Sequence, residues 1–406
     1  MPIGWIDFSK TERNKVLSVL ELLSERGTLD ELGIAPIRDG FANIFFPGTS
    51  TIQTRAKYFL IVPYALKDME YDKEANPTRL LKKFDELERQ SAETLLQNPD
   101  DTVGVIGRRA LGHNSWVKRT PADIYWAGLR AFNIFRAGNL SLTEYIQAIC
   151  AQKQNKRDVL NLGNRNDQQE ENDLSGNDSD DKDAGDLFHM QFWTIPTYQT
   201  GWMNDLDIHL SVDEADFLKD QIIRAFPDSM FAFILKNNRT ELLNCASFQE
   251  LESFLPLFPE EMQKDYILAA DFSNFLFILR VLFNIIVSDG QNESANQVWS
   301  EIVDDIPFYA EKVDLDAVFN RLMIHKNDRL YTFLNKSKEY MLASDIDGMI
   351  REIKRREREL KHSRAKTMHP GEFDSDEWLG GGQLDYRFSN AKTIMNDIFE
   401  SEGLYV

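Results

Sequence analysis

Between Asn164 and Asp186 the chain carries nine acidic residues, two basic ones and a single large apolar residue, Leu174. A stretch with a net charge of −7 over 23 residues cannot bury enough apolar surface to offset its ordering entropy, and self-repulsion extends it. It is therefore expected to be a disordered linker. It divides the chain into an N-terminal mainly helical lobe (1–163), the linker (164–186) and a C-terminal helical domain (187–406) that ends in a basic helix and an irregular Gly-rich tail. An acidic tail that mimics nucleic acid or docks on a basic partner is the other use such a segment admits. Outside it, a hydrophobic share of 42% for the whole chain is enough to build large cores.

Helix start signals recur on both sides of the linker. Ser9-Lys10-Thr11-Glu12, Thr28-Leu29-Asp30-Glu31, Ser141-Leu142-Thr143-Glu144, Ser211-Val212-Asp213-Glu214 and Ser247-Phe248-Gln249-Glu250 all have the capping-box spacing. Thr120-Pro121-Ala122-Asp123 adds a proline at the first helical position. After the linker, the apolar spacing predicts helices over 212–225, 248–255, 260–287, 294–304, 314–324, 328–342 and 345–363. Phe231–Leu235 and Ile3–Phe8 are short apolar runs that read as candidate strands. No 20–50-residue repeat is present. The expected fold is mainly α: two multi-helix lobes with few short strands.

The most apolar stretch, Phe272–Val287, has 16 residues and contains Asn274, Arg280 and Asn284. That is short of the roughly 20 residues a bilayer demands, so it reads as a central core helix. No secretory leader is visible at the N-terminus. A cytoplasmic protein with no membrane partner is expected.

Signatures of common chemistries are missing. Two cysteines, Cys150 and Cys245, exclude a disulfide framework and a four-cysteine zinc site. None of the six histidines forms a His-Glu-x-x-His pair, and there is no phosphate-binding Gly-x-x-x-x-Gly-Lys-Ser/Thr loop or Gly-x-Ser-x-Gly elbow. His325-Lys326-Asn327-Asp328 has the wrong spacing for a phospholipase D motif. Glu352-Ile353-Lys354 and Glu359-Leu360-Lys361 echo metal nucleases, but in a helical segment where those enzymes place a strand. No catalytic residue, cofactor or metal is assigned.

The basic clusters carry more information, because they stand out against 66 acidic and 46 basic residues, a net −20. Such a balance argues against coating DNA by bulk charge but permits a local patch. One cluster runs from Arg351 to Lys366: Arg351, Lys354, Arg355 and Arg358 fall on one helix face, with Arg364 and Lys366 beyond it. Leu342, Ile346, Met349, Ile350, Ile353 and Leu360 form the apolar stripe opposite. The bland alternative is a solvated helix laced by Asp347–Arg351, Glu352–Arg356 and Glu357–Lys361 pairs. The second cluster, Gly104 to Arg119, holds Arg108, Arg109, Lys118 and Arg119 and no acid. Glycine-rich basic turns offer backbone N–H groups and guanidinium forks to anions; the alternative is a surface loop anchored by Trp116. Arg55 and Lys57, in Thr54-Arg55-Ala56-Lys57, echo Ser363-Arg364-Ala365-Lys366.

Ile3-Gly4-Trp5-Ile6-Asp7-Phe8-Ser9, the run from Gly40-Phe41-Ala42-Asn43 through Gln53-Thr54-Arg55-Ala56-Lys57-Tyr58-Phe59, and the stretch from Arg364-Ala365-Lys366 through Leu384-Asp385-Tyr386-Arg387-Phe388 together carry a resemblance. They resemble an uncharacterised bacterial family known only as a domain of unknown function. The resemblance implies a role beside helicases and phospholipase D-like nucleases in anti-phage defence islands, and implies no catalytic residue. The expected function is a non-catalytic accessory subunit that bridges such an enzyme and DNA through Arg55, Lys57, Arg108, Arg109, Lys118, Arg119, Arg351, Lys354, Arg355, Arg358, Arg364 and Lys366. The alternatives are a nuclease or nucleotide-processing enzyme with a dispersed site, and a scaffold without nucleic-acid contact.

Overall fold

A computed structural model describes residues 30–99, 101–166, 191–196, 198–325, 329–372, 377–379 and 381–404. Of the expected linker, residues 164–166 end a helix, and 167–186 lie outside the described residues. Ser9, Thr28 and the candidate strand Ile3–Phe8 also lie outside them. The fold is mainly α. Among the described residues the only strand-like pairing is one antiparallel bridge, Phe135 to Trp193.

The chain divides into two compact units, each discontinuous in sequence: 1–40 with 264–384, and 41–263 with 385–406. This partition joins early and late segments, whereas the acidic stretch suggested a cut into an early and a late lobe.

Helices with members in the second unit include α1 (Ala35–Phe45), α2 (Tyr58–Tyr71), α3 (Pro77–Leu95), α4 (Arg108–Gly112), α5 (Pro121–Ala131), α6 (Leu142–Asn166), α7 (Val212–Ala225) and α8 (Met230–Lys236). Local signals place their starts. The Thr120 and Ser211 capping boxes are both closed, and Ser141 and Glu144 exchange bonds of 2.7 and 3.2 Å. Ser247 makes no side-chain cap, and the segment it precedes, Phe248–Leu257, is 3₁₀ rather than α. The candidate strand Phe231–Leu235 is instead helical, inside α8. Ser229 caps it by accepting from the Ala232 N–H at 3.1 Å, and four of those five residues are buried. An apolar run this short has no periodicity, so burial on all sides reads like a strand.

Two stretches that carry the family resemblance, 41–59 and 385–388, lie in this unit and meet there. α15 (Phe388–Ser401) is preceded by Arg387, whose guanidinium donates to Asn43 Oδ1 and to the Thr49 carbonyl, both at 2.9 Å. The Asn390 amide donates to the Gln53 carbonyl at 3.0 Å. Phe41, Phe45, Phe248 and Tyr386 pack as an aromatic cluster with centroids 5.0–6.1 Å apart.

The first unit contains most of α9 (Glu260–Val287), then α10 (Glu293–Ile302), α11 (Ile306–Lys312), α12 (Leu315–Arg321), α13 (Arg329–Leu342) and α14 (Ile346–Lys361). The bounds of α9 match expectation. α11, which opens with Pro307 in its first turn, was not anticipated. Among the described residues α9 is the one helix long and apolar enough to cross a bilayer, and 72% of its most apolar window is buried in protein. Its polar residues hold the tail that crosses it. Asn284 accepts the Leu379 N–H at 2.7 Å and donates to the Leu379 carbonyl at 2.8 Å, as a strand neighbour would. Ser273 Oγ accepts from the Leu384 N–H at 2.8 Å, Asn274 binds Gln383 at 2.9 Å, and Arg280 donates to the Gly382 carbonyl. Irregular backbone packed against a helix must find such partners where it is buried, as at Leu379 and Leu384.

Candidate functional site

Two glycines shape the 104–119 turn. Gly104 and Gly107 adopt φ of +81° and +91°, and a Cβ at Gly107 would lie 2.6 Å from Trp116 Cζ3. Bare backbone at Gly107 therefore lets the Trp116 indole close against it. The indole Nε1–H donates to Asp85 Oδ1 on α3 at 3.2 Å. The Ile106 N–H donates to the Tyr58 hydroxyl at 2.8 Å, and Ser115 Oγ to the Ala110 carbonyl at 3.0 Å. The turn is thus tied to α2 and α3 and braced within itself, and Trp116 anchors it, as in the surface-loop alternative. The anchoring leaves Arg108, Arg109, Lys118 and Arg119 exposed, with no ion pair to any described residue.

The turn leads into α5, where Glu88 lies 2% exposed and its Oε1 accepts from the Ala122 N–H at 2.7 Å. Burial pushes the Glu88 carboxyl up to about 8, against the Ala122 bond that lowers it. A carboxyl raised from 4.5 to about 8 binds its proton more tightly when folded, so its contribution to stability is full below about pH 4.5 and falls as pH rises towards 8. Glu88→Gln keeps an acceptor for Ala122 and removes the charge. It is expected to match wild type near pH 4.5 and to be more stable by about 1–3 kcal/mol at pH 8. Urea unfolding at the two pH values measures this; a constant difference across them would show that Glu88 is not the titrating group.

Arg55 and Lys57 do not belong to an exposed cluster. Both are 8% exposed. Arg55 Nε donates to both Asp397 oxygens at 2.9 and 3.1 Å, and its NH1 to the Val103 carbonyl at 3.2 Å. The Ala56 N–H donates to Asp397 Oδ2 at 2.6 Å. Lys57 Nζ pairs with Glu214 at 2.6 Å. These cations join the start of α2 to α15 and α7, and their charge is spent inside the protein.

On α14 the expected basic face is thinner than its sequence. Arg351, Lys354, Arg358 and Arg364 are exposed. Arg351 lies 3.5 Å from Asp345, Arg355 is clamped by Glu352 and Glu359, and Lys366 pairs with Glu31 at 3.0 Å. Lys354, Arg358 and Arg364 have no ion pair with a described residue. The opposite face is buried through polar residues as well as apolar ones. Met349 and Ile353 are fully buried, but Leu342 and Ile346 are exposed and Leu360 half-buried, which corrects that stripe. Glu352, Arg356 and Glu357 occupy the interior instead. Arg356 Nε donates to the Leu32 carbonyl at 2.9 Å and its guanidinium lies 5.5 Å from the Phe333 ring. Glu357 accepts the Lys366 and Thr367 N–H groups at 3.0 and 2.9 Å. Of the three expected i,i+4 pairs only Glu357–Lys361 approaches, at 4.0 Å.

Two other features hold chemistry-bearing side chains. Asp101, Asp207 and His209 bring one ligand atom each within 4.8 Å of the others. Asp101 is already met by His209 Nε2 at 2.5 Å and by Arg55 NH1 at 3.6 Å, so the Arg55 guanidinium already shares that carboxylate and the set fits a metal poorly. An open cleft of about 650 Å³ is lined by Glu241, Cys245, Glu250, Glu252, Ser253 and Phe254, among others. Burial pushes the Cys245 thiol up, away from thiolate, and its glutamates repel polyanions.

Residues 2–179 match a family described as a family of unknown function, DUF6361. The matched residues include the 104–119 turn, Arg55 and Lys57, and stop before α14. No curated protein and no solved structure matches the chain.

Proposed function

We propose that the chain is a non-catalytic accessory subunit that binds nucleic acid through the 104–119 turn and presents it to an enzyme partner. The partner implied by the family resemblance is a helicase or a phospholipase D-like nuclease of a bacterial defence system. One observation carries this reading. In a protein of net −20, four exposed cations without an ion pair to a described residue lie on one turn that has no acid of its own. Unspent cations next to a rigid anchor attract phosphates at little entropic cost, since the backbone that displays them is already ordered. The exposed Lys354, Arg358 and Arg364 offer a second, weaker basic surface on the other unit.

Four phosphate contacts give log K a slope of about −3 against log salt. Arg108→Glu with Arg109→Glu is expected to weaken binding at low salt and to reduce that slope by about 2. Fluorescence anisotropy with labelled DNA at several salt concentrations reads both quantities, and co-purification from the native host reads the partner. Equal binding by the double variant would move the function away from this turn. Absence of binding at every salt concentration would leave a scaffold without nucleic-acid contact.

A further inference from the structure

We propose that the 104–119 turn takes single-stranded rather than duplex nucleic acid, with Trp116 as a stacking platform for a base; this rests on the nucleic-acid reading above and narrows its ligand. Three features of the turn point this way. Its only helix, α4, has five residues and ends at Gly112, two residues before Asn114, whose φ of +53° turns the chain. Reading a duplex through the major groove takes a longer helix or a two-stranded ribbon, and the turn supplies neither. Second, the cations lie on both sides of an aromatic side chain in sequence: Arg108 and Arg109 before Trp116, Lys118 and Arg119 after it. Interleaved cations and aromatics are what an unpaired strand exploits, since its backbone binds charge while its bases are free to stack.

Third, the indole is half-exposed yet rigid. Its Nε1–H is held by Asp85 at 3.2 Å, and Gly107 meets it at the Cζ3 corner of the six-membered ring. Both contacts hold the ring in place, so stacking a base on its exposed part costs little further ordering of the side chain. Val103, 71% exposed, adds an apolar surface at the start of the same turn. Bases in a duplex are already stacked on one another and gain nothing from such a platform; unpaired bases gain the full contact.

The test uses the full chain with a labelled oligothymidylate of about 16 nucleotides, a labelled duplex of the same length, and polyglutamate as an acidic-polypeptide probe. Wild type is expected to bind the single strand at least about tenfold more tightly than the duplex. Trp116→Leu should weaken single-strand binding by about tenfold and leave duplex binding unchanged, while Trp116→Phe keeps most of the affinity. Equal wild-type affinity for single strand and duplex would overturn the single-strand assignment and leave the accessory reading standing. Failure to bind either nucleic acid would overturn both, and polyglutamate binding in its place would make the turn a docking site for an acidic protein. The wild-type ratio decides the matter even if Trp116→Leu disturbs the turn, which far-UV circular dichroism of both variants monitors.

Discussion

Asp397→Ala lowers the stability of the protein by about 3–5 kcal/mol. The carboxylate is 5% exposed and takes three hydrogen bonds, two from Arg55 Nε and one from the Ala56 N–H. Burial pushes its carboxyl up to about 6, with the Arg55 guanidinium and the Ala56 bond pulling it back. Above that pH it is a buried anion matched to a buried cation. Deleting the anion strands the guanidinium with the Val103 carbonyl at 3.2 Å and Asp101 at 3.6 Å. That remaining charge, rather than the lost bond, dominates the cost. Arg55→Met combined with Asp397→Leu is accordingly expected to recover much of the loss. Urea unfolding at pH 7.5 measures all three proteins. A cost under about 1 kcal/mol for Asp397→Ala would place the pair in solvent-like surroundings.

Ile353→Ala on α14 is expected to cost about 2–5 kcal/mol, because the side chain is fully buried and its removal leaves a cavity. Lys354→Ala, one residue on and exposed, should stay within about 0.5 kcal/mol. Leu360→Ala falls between them, since Leu360 is half-buried. The graded series tests the face assignment by denaturant unfolding. Equal small effects at all three positions would detach α14 from its unit.

Elements with strong local signals were legible in the sequence, and elements defined by distant partners were not. The closed boxes at Thr120 and Ser211 and the span of α9 follow from residues within one helix. α8 was misread because five consecutive apolar residues, four of them buried, carry no period. On α14 the helix itself was legible, but Glu352, Arg356 and Glu357 looked solvent-facing because the i,i+4 rule sees only neighbours. The partners of Arg356 are carbonyls more than 320 residues earlier in the chain, and those of Glu357 lie beyond the end of the helix. The same blindness put Arg55 and Lys57 among the binding residues. Their acids, Asp397 and Glu214, are 342 and 157 residues away. The 104–119 turn was legible as basic, glycine-rich and tryptophan-anchored; that its cations make no ion pair with a described residue required the fold. The echo of Arg-Ala-Lys at 55–57 and 364–366 has one physical counterpart. In each copy a buried carboxylate, Asp397 or Glu357, accepts backbone N–H groups of the segment.

The Arg55–Asp397 pair also imposes a timetable on the ribosome. Arg55 is made 342 residues before its acid, so at roughly 5–20 residues per second about 20–70 s elapse between them. Throughout that interval the cation intended for the interior has no anion to receive it, and the surfaces of α2 and α1 that α15 will cover stay open to water. Native closure of this unit therefore waits for residues 385–404 to be translated, however early its first helices form. A nascent chain in that state exposes Phe41, Phe45 and Phe46 to other chains, which makes its yield in the cell sensitive to elongation rate and to chaperone supply.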